Sequence, residues 1–230
     1  MTIQNVTIDS PDIGRFRDRR DAGFQLAWAL RDYQGSRPLV LGIPRAGVVL
    51  AEAVARELDG DLNVALVQKL RPPDRSELVM GAIAENGLIF LNEGWEQVPT
   101  SSYLKSEASV ALSHLRQRRR LYAPLGELLR PAGRTVIVVD DGAATGATMT
   151  GALQSIHLAG ARRVIAAVAV ASRDVIADLR HEADEVICLA ATDSFYAVSP
   201  FFLNYAEITD DDVVELLREA SRRSLRGQTG

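Results

Sequence analysis

The chain has 230 residues, of which 47% are hydrophobic, and this length suits one α/β domain with an appended lobe. Its formal net charge of −4 gives no general attraction to nucleic acid or to an anionic membrane, so neither is expected as a partner. The single cysteine excludes an internal disulfide, and neither a leader pattern nor a run of about 18 uncharged apolar residues is present, so we expect a cytoplasmic protein.

The first regular element that the pattern predicts is an amphipathic helix over 16–30, where apolar residues recur at helical spacing. Residues 1–14 before it are mixed and weakly β-like. The charged residues near the start of the helix alternate in sign and are Arg15, Arg17, Asp18, Arg19, Arg20 and Asp21. Such alternation favours a solvated face over a phosphate-binding site.

Two strand-like runs come next. A short buried strand is predicted over 39–43, followed by a loop at 44–47 and a helix, and the run 61–70 predicts another strand. Loops that follow the strands of a parallel sheet open on one edge, so Arg45 and Lys69 are candidate cations for an anionic ligand at that edge. A water-facing surface position is the alternative for each of them.

Residues 71–92 depart from the alternation of strands and helices. A polar run begins at Pro72, and the dipeptide Asn86-Gly87 joins two apolar runs over 79–84 and 88–91. Asn-Gly between β-like runs is a strong hairpin signal, so we predict two antiparallel strands here.

A helix is predicted over 100–122, and it ends in a basic cluster at 116–120. Cations at the carboxyl end of a helix complement its dipole, so we favour a solvated face and leave open binding to RNA or another anion. His114 lies on this helix without a second ligand at metal-site spacing, and we interpret it as incidental.

The most informative stretch runs from Arg134 to Gly151 and reads RTVIVVDDGAATGATMTG. Residues 135–139 predict a strand buried on both faces, which Asp140 and Asp141 end. Small residues and a helix start follow, and free N–H groups at a helix start suit a phosphate. Because carboxylates accept hydrogen bonds from vicinal sugar hydroxyls, the pattern indicates a ribose 5-phosphate site. A plain strand-to-helix turn capped by Asp is the alternative.

The remainder continues the strand and helix alternation, with predicted strands over 163–171 and 185–189. This repetition predicts the α/β class, with a doubly wound, mostly parallel five-stranded sheet. Residues 191–210 are rich in aromatics without a regular period, which favours a satellite core over a wall that stacks on a base. A terminal helix is predicted over 213–223.

The segment VIVVDDGAATGAT at 136–148 resembles the phosphoribosyl pyrophosphate (PRPP) motif of type I phosphoribosyltransferases. The resemblance implies a bacterial-type member with the fold of that family, in which residues 1–230 form one domain. Its core would span about 37–190. A small hood and hairpin lobe would come from 1–30, 71–92 and 191–230.

The resemblance also assigns site residues. Asp140 and Asp141 would orient the ribose hydroxyls, with the general acid or base left unassigned. The 5-phosphate would bind to Gly142, Ala143, Ala144, Thr145, Gly146, Ala147 and Thr148. The pyrophosphate would contact Arg45, Ala46, Gly47 and Lys69, and the base would contact Asp193, Ser194 and Phe195. A mobile lid is expected over 71–78.

The implied reaction displaces pyrophosphate from PRPP with a ring nitrogen of a nucleobase-like acceptor, with Mg²⁺ as the cofactor. We expect the ion to bind through substrate oxygens and water, without dedicated protein ligands. The 6-oxopurine enzymes of the family carry an acid in the phosphate loop where this chain has Ala144. Hypoxanthine and guanine are therefore expected to be poor substrates.

Two other functions stay open at this point. The first is a non-catalytic regulator of the same fold that senses PRPP, and the second is a nucleotide-binding α/β protein of unrelated chemistry. The acceptor base and the oligomeric state, a homodimer included, cannot be read from these residues.

Overall fold

The computed structural model describes residues 15–73, 78–92, 94–95, 100–122, 130–193 and 195–227. Its helices are α1 (Arg19–Ala29), α2 (Gly47–Glu57), α3 (Ser101–Tyr122), α4 (Ala147–Leu158), α5 (Arg173–Glu182) and α6 (Asp210–Gly227). Its strands are β1 (Leu39–Gly42), β2 (Asp61–Val64), β3 (Val67–Leu70), β4 (Gly81–Ala84), β5 (Ile89–Leu91), β6 (Thr135–Ala143), β7 (Arg163–Ser172) and β8 (Glu185–Thr192). No helix in these ranges has the length and apolarity needed to cross a bilayer.

A five-stranded sheet with the order β2-β1-β6-β7-β8 forms the centre of the fold, and all of its neighbouring strands are parallel. Successive side chains of β6 point to opposite faces. Ile137 and Val139 pack with α1 and α2, whereas Val136 and Val138 pack with α4 and α5. Helices on both faces of a parallel sheet confirm the predicted fold class.

Strands β3, β4 and β5 form a separate antiparallel sheet. The hairpin predicted at Asn86-Gly87 is confirmed, since the Gly87 N–H bonds to the Ala84 carbonyl at 2.9 Å. The single strand predicted over 61–70 is wrong. The Ala65 N–H makes a 3.0 Å bond to Gly42 beside the parallel sheet, and from Val67 onward the chain pairs with β4 instead.

The central strand continues through the acidic pair, although both acids were expected to end it. Pairing of β6 with β7 extends to Ala143, opposite Ala171. Because Asp140 and Asp141 are inside a strand, their side chains lie on opposite faces of the sheet. Gly142 and Ala143 after the acids still pair with Val170 and Ala171 of β7, so two polar side chains do not end the strand.

Helix α6 is held against α2 by an ion pair to a buried carboxylate. Glu52 on α2 is 2% exposed, and Arg223 on α6 donates from Nη1 to its Oε1 at 2.7 Å. Arg20 and Arg56 approach the same carboxylate at 3.9 and 3.8 Å. Removing one partner of such a pair leaves a buried charge with less compensation.

We expect Arg223→Met to lower the free energy of unfolding by about 1–2 kcal/mol, because two weaker cationic neighbours of Glu52 remain. Arg222→Met changes an exposed arginine on the same helix and serves as the control, with an effect within about 0.5 kcal/mol. Urea unfolding followed by circular dichroism measures both variants. Equal losses would contradict a specific role for the pair with Glu52.

Candidate functional site

A cavity of about 960 Å³ opens at the carboxyl ends of β1 and β6. The connections of these two adjacent strands run to opposite sides of the sheet, which is the usual place for a ligand in a doubly wound fold. Its lining comes from the loop after β1, from β3, from α3, from the end of β6 and from the start of α6. The charged residues of this lining are Arg45, Lys69, Arg71, Arg118, Arg120, Asp140, Asp141 and Asp210.

The loop after β1 reaches the cavity because Gly47 lets α2 start close to β6. A Cβ at Gly47 would lie 2.6 Å from the carbonyl oxygen of Val139 and 3.0 Å from Oδ1 of Asp140. The peptide bond between Pro44 and Arg45 is cis. Arg45 and Ala46 line the cavity, whereas Gly47 is buried beneath it.

Asp140 is a partly buried carboxyl group on the cavity wall. Its Oδ1 accepts a hydrogen bond from the Asp141 N–H at 2.9 Å. Burial and the negative charge of Asp141 raise the pKa of Asp140 well above its ordinary value, and the nearby Lys69 ammonium opposes this shift. Lys69, expected at the end of a parallel strand, belongs to β3 but still lines the same cavity as Asp140.

Asp141 is buried on the opposite face and is held by two donors. Nε of Arg19 donates to Oδ2 at 2.9 Å, and the Tyr205 hydroxyl donates to the same oxygen at 3.1 Å. Arg19 is 7% exposed, so the solvated position expected for it is wrong. The carboxylate of Asp141 compensates its charge. Only contacts between distant parts of the chain reveal this pair.

The small-residue loop after the acids lies between two cavities. Thr148 lines the cavity with Asp140, whereas Thr145, Gly146 and Ala147 line a neighbouring cavity of about 730 Å³. Gly146 has a φ of 70° just before α4, a conformation that glycine adopts without strain. Of the other predicted phosphate-loop residues, Gly142 and Ala143 lie within β6, and Ala144 is exposed.

Helix α3 forms one wall of the cavity, which the sequence reasoning missed. His114, Gln117, Arg118 and Leu121 line it, and their spacing defines one stripe of a helix. These side chains are exposed, in agreement with the solvated face expected for the basic cluster, and that face borders the cavity. Arg119 instead pairs with Glu85 of the hairpin at 2.5 Å. The four residues recur at intervals of three and four positions, and this spacing could have indicated from the sequence that they share one face of the helix.

Two of the residues predicted to bind the base, Asp193 and Phe195, do not line this cavity. Asp193 accepts a 2.9 Å bond from Nε of Arg173, and Phe195 packs against the core below the sheet. Ser194 lies outside the described residues, as does the 74–77 part of the predicted lid. Phe201 and Phe202 of the aromatic segment belong to the main core instead of a satellite core, with the rings of Phe16 and Phe202 5.2 Å apart, whereas Tyr196 is exposed.

Metal-binding side chains do not cluster in the described ranges. Within them, no group of three or more His, Cys, Asp or Glu residues is placed to hold an ion. The carboxylates that line the cavity are those of Asp140, Asp141 and Asp210. Oxygen donors of this kind suit Mg²⁺ better than a soft metal.

Comparison with known proteins gives consistent matches. A family model described as phosphoribosyl transferase domain matches residues 19–206. "Putative phosphoribosyl transferase Rv0571c" from Mycobacterium tuberculosis (strain ATCC 25618 / H37Rv) is 39% identical over 212 residues, which cover 90% of this chain and 47% of the relative. The chain spans about half the length of the curated relatives it matches. The crystal structure of TT1426 from Thermus thermophilus is 42% identical with a TM-score of 0.79, over 89% of this chain and 98% of that chain.

Proposed function

Because the chain belongs to the type I phosphoribosyltransferase family, we propose that it transfers ribose 5-phosphate from PRPP to a nitrogenous base and releases pyrophosphate. One observation carries this proposal. The motif acids Asp140 and Asp141 line the same cavity as Arg45 and Lys69, which come from two other elements. PRPP requires carboxylates that accept hydrogen bonds from its sugar hydroxyls, and beside them cations that neutralise its diphosphate.

The proposed chemistry needs positioning and charge stabilisation more than covalent catalysis. A ring nitrogen of the acceptor attacks carbon 1 of the ribose and loses its proton, and the pyrophosphate leaves with the electron pair of the broken C–O bond. Arg45 and Lys69 stabilise the charge on this leaving group, and Asp140 orients a ribose hydroxyl. We assign the 5-phosphate to backbone N–H groups at 144–148, next to the start of α4, because residues 142 and 143 of the predicted loop belong to β6.

Magnesium fits this cavity through its oxygen donors. The carboxylates that line the cavity, those of Asp140, Asp141 and Asp210, would support an ion that is held mainly by oxygens of PRPP and by water. When bound, the ion supplies further neutralisation of the diphosphate charge.

The acceptor is proposed to be nucleobase-like and to differ from the 6-oxopurines. Ala144 is exposed in the phosphate loop, and its methyl group cannot move a proton to or from a purine ring. Hypoxanthine and guanine are accordingly expected to be poor acceptors.

The test is base-dependent release of pyrophosphate from PRPP and Mg²⁺ across a panel of nucleobases and related heterocycles. Release with one base that Asp140→Asn abolishes would support the transferase and identify its acceptor. PRPP binding without release by any base would favour the PRPP-sensing regulator instead. If neither PRPP nor ribose 5-phosphate binds, both functions are contradicted.

A residue of helix α3 can test where the diphosphate of PRPP binds in the cavity. Arg118 lines the cavity near the Tyr122 hydroxyl. Burial and the hydrogen bond to Asp210 raise the pKa of Tyr122, and the positive charges of Arg118 and Arg45 partly oppose that rise. Tyr122 in turn donates to Oδ1 of Asp210 at 2.5 Å. Arg118 and Arg45 thus approach one point from two elements, and we assign both to the diphosphate.

We expect Arg118→Gln to weaken the binding of PRPP and of inorganic diphosphate by about 10-fold, because one charged hydrogen bond is lost. Ribose 5-phosphate should bind with unchanged affinity. Arg116→Gln is the matched control, since Arg116 is exposed on the same helix and does not line the cavity. Isothermal calorimetry measures all three ligands. An equal effect of the two substitutions would show general electrostatic attraction instead of a contact.

A further inference from the structure

Two donors hold Asp141 through one of its two carboxylate oxygens, Oδ2. We propose that Arg19 and Tyr205 are positioning residues that fix Oδ2 of Asp141, so that Oδ1 accepts a ribose hydroxyl. This inference rests on the proposed function, because it assumes that a ribose phosphate occupies the cavity. It assigns roles to two residues outside the motif, one from α1 and one from the segment before α6.

The geometry of the carboxylate carries the first step. Both donors bind Oδ2, with Arg19 at 2.9 Å and Tyr205 at 3.1 Å. In the part of the chain that the structure describes, no nitrogen or hydroxyl group donates to Oδ1 of Asp141. The carboxyl group of Asp140 lies beside the Asp141 carboxylate, and both residues line the cavity. A carboxylate with one oxygen held by two donors has little freedom to rotate. Its second oxygen therefore keeps one orientation.

The Arg19 side chain is itself fixed on three sides. Its Nη1 donates to the carbonyl of Ala206 at 2.6 Å, and its guanidinium carbon lies 3.8 Å from the centroid of the Tyr205 ring. A planar guanidinium can make these edge and face contacts together, whereas a lysine ammonium offers only a point charge. These contacts therefore require the shape of an arginine side chain as well as its positive charge.

A purely structural explanation accounts poorly for this arrangement. A buried ion pair is often no more stabilising than apolar residues of similar volume, so its presence needs another reason. Backbone bonds already join the two segments, from Phe16 to Phe201 at 2.9 Å, from Leu203 to Phe16 at 2.8 Å and from Asn204 to Arg17 at 2.9 Å. These bonds keep the segments together when the side chains of Arg19 or Tyr205 are changed.

Ligand selectivity tests the proposal in the full-length chain. Calorimetry would compare PRPP, ribose 5-phosphate and inorganic diphosphate, each with Mg²⁺. We expect Tyr205→Phe, which keeps the ring on Arg19, to weaken both ribose ligands by about 5-fold, and Arg19→Lys to weaken them by about 30-fold. Diphosphate has no ribose, so its affinity should change less than about 2-fold.

Matched controls separate positioning from general damage. Tyr33→Phe removes another tyrosine hydroxyl that donates to a carboxylate, that of Glu185 at the opposite end of the sheet. Arg17→Lys changes an exposed arginine two residues before Arg19. Both controls should bind all three ligands as the wild type does.

The outcomes distinguish this inference from the proposed function. Equal losses for all three ligands, or unchanged affinity for ribose ligands in both Tyr205→Phe and Arg19→Lys, would overturn the positioning role. PRPP binding by the wild type would then leave the proposed PRPP site standing, and base-dependent pyrophosphate release would still test the transferase. Failure of the wild type to bind PRPP and ribose 5-phosphate would overturn both. If Arg19→Lys does not fold, Tyr205→Phe alone decides, with diphosphate binding as its check on the folded site.

Discussion

Replacing Asp140 with Asn is expected to lower the rate of base-dependent pyrophosphate release by at least about 100-fold while making the protein more stable. The loss of rate follows because an amide presents no negative charge to the ribose or to the developing positive charge at carbon 1. The gain in stability follows because burial and the negative charge of Asp141 disfavour the ionised form of Asp140 in the folded state. We expect the gain to be about 1 kcal/mol at pH 7.

The pH dependence of this gain has a definite sign. The pKa of Asp140 is raised in the folded state, so the favourable contribution of its protonated form is complete below the unfolded pKa and is lost as pH rises through the folded pKa. Asparagine does not titrate. The stability difference should therefore vanish below the ordinary value of 3.8 and grow toward neutral pH, as thermal unfolding over a pH series would measure.

Asp141→Asn is the matched comparison, since it makes the same chemical change one residue along. Its carboxylate compensates buried Arg19 at 2.9 Å, so removing that charge should cost about 3 kcal/mol. One substitution of the pair is thus expected to stabilise the fold and the other to destabilise it. Two changes of the same sign would contradict the different environments that we assign to the two acids.

Much of the fold follows from local sequence pattern. Residues of β6 and β7 are buried on both faces, so they form continuous apolar runs that identify central strands of a parallel sheet. The Asn86-Gly87 turn identifies its hairpin for an equally local reason. The motif at 136–148 identified the family, and the family model confirms that identification.

The missed features depend on contacts between distant segments. The run 61–70 reads as one strand, but its two halves pair with different partners, β1 and β4, and pairing is not visible in either half. Arg19 has the charged neighbours of a solvated residue, yet its partner is Asp141, 122 positions away. Alternation of charges along the sequence cannot reveal such a distant partner. The residues of α3 that line the cavity, by contrast, recur at helical spacing, and a search of the sequence for that spacing could have found them.

The approach of α2 to the end of β6 should make Gly47 intolerant of any side chain. A Cβ there would lie 2.6 Å from the backbone oxygen of Val139 and 3.0 Å from both Cα and Oδ1 of Asp140. These are mainly backbone atoms of a central strand, and they cannot move aside without disturbing the sheet. We expect Gly47→Ala to lower the free energy of unfolding by about 2 kcal/mol and to weaken PRPP binding by at least about 10-fold.

Gly142→Ala is the comparison that isolates the cause. Its added methyl would meet the side chain of Val198, which can be shortened, so Val198→Ala should restore the stability of Gly142→Ala. No such trimming is available at Gly47, because the obstacle is a main-chain carbonyl. Chemical unfolding and calorimetry with PRPP would measure both positions. If Gly47→Ala retained wild-type stability and affinity, the start of α2 could shift freely, and close packing against β6 would not be what brings Arg45 to the cavity.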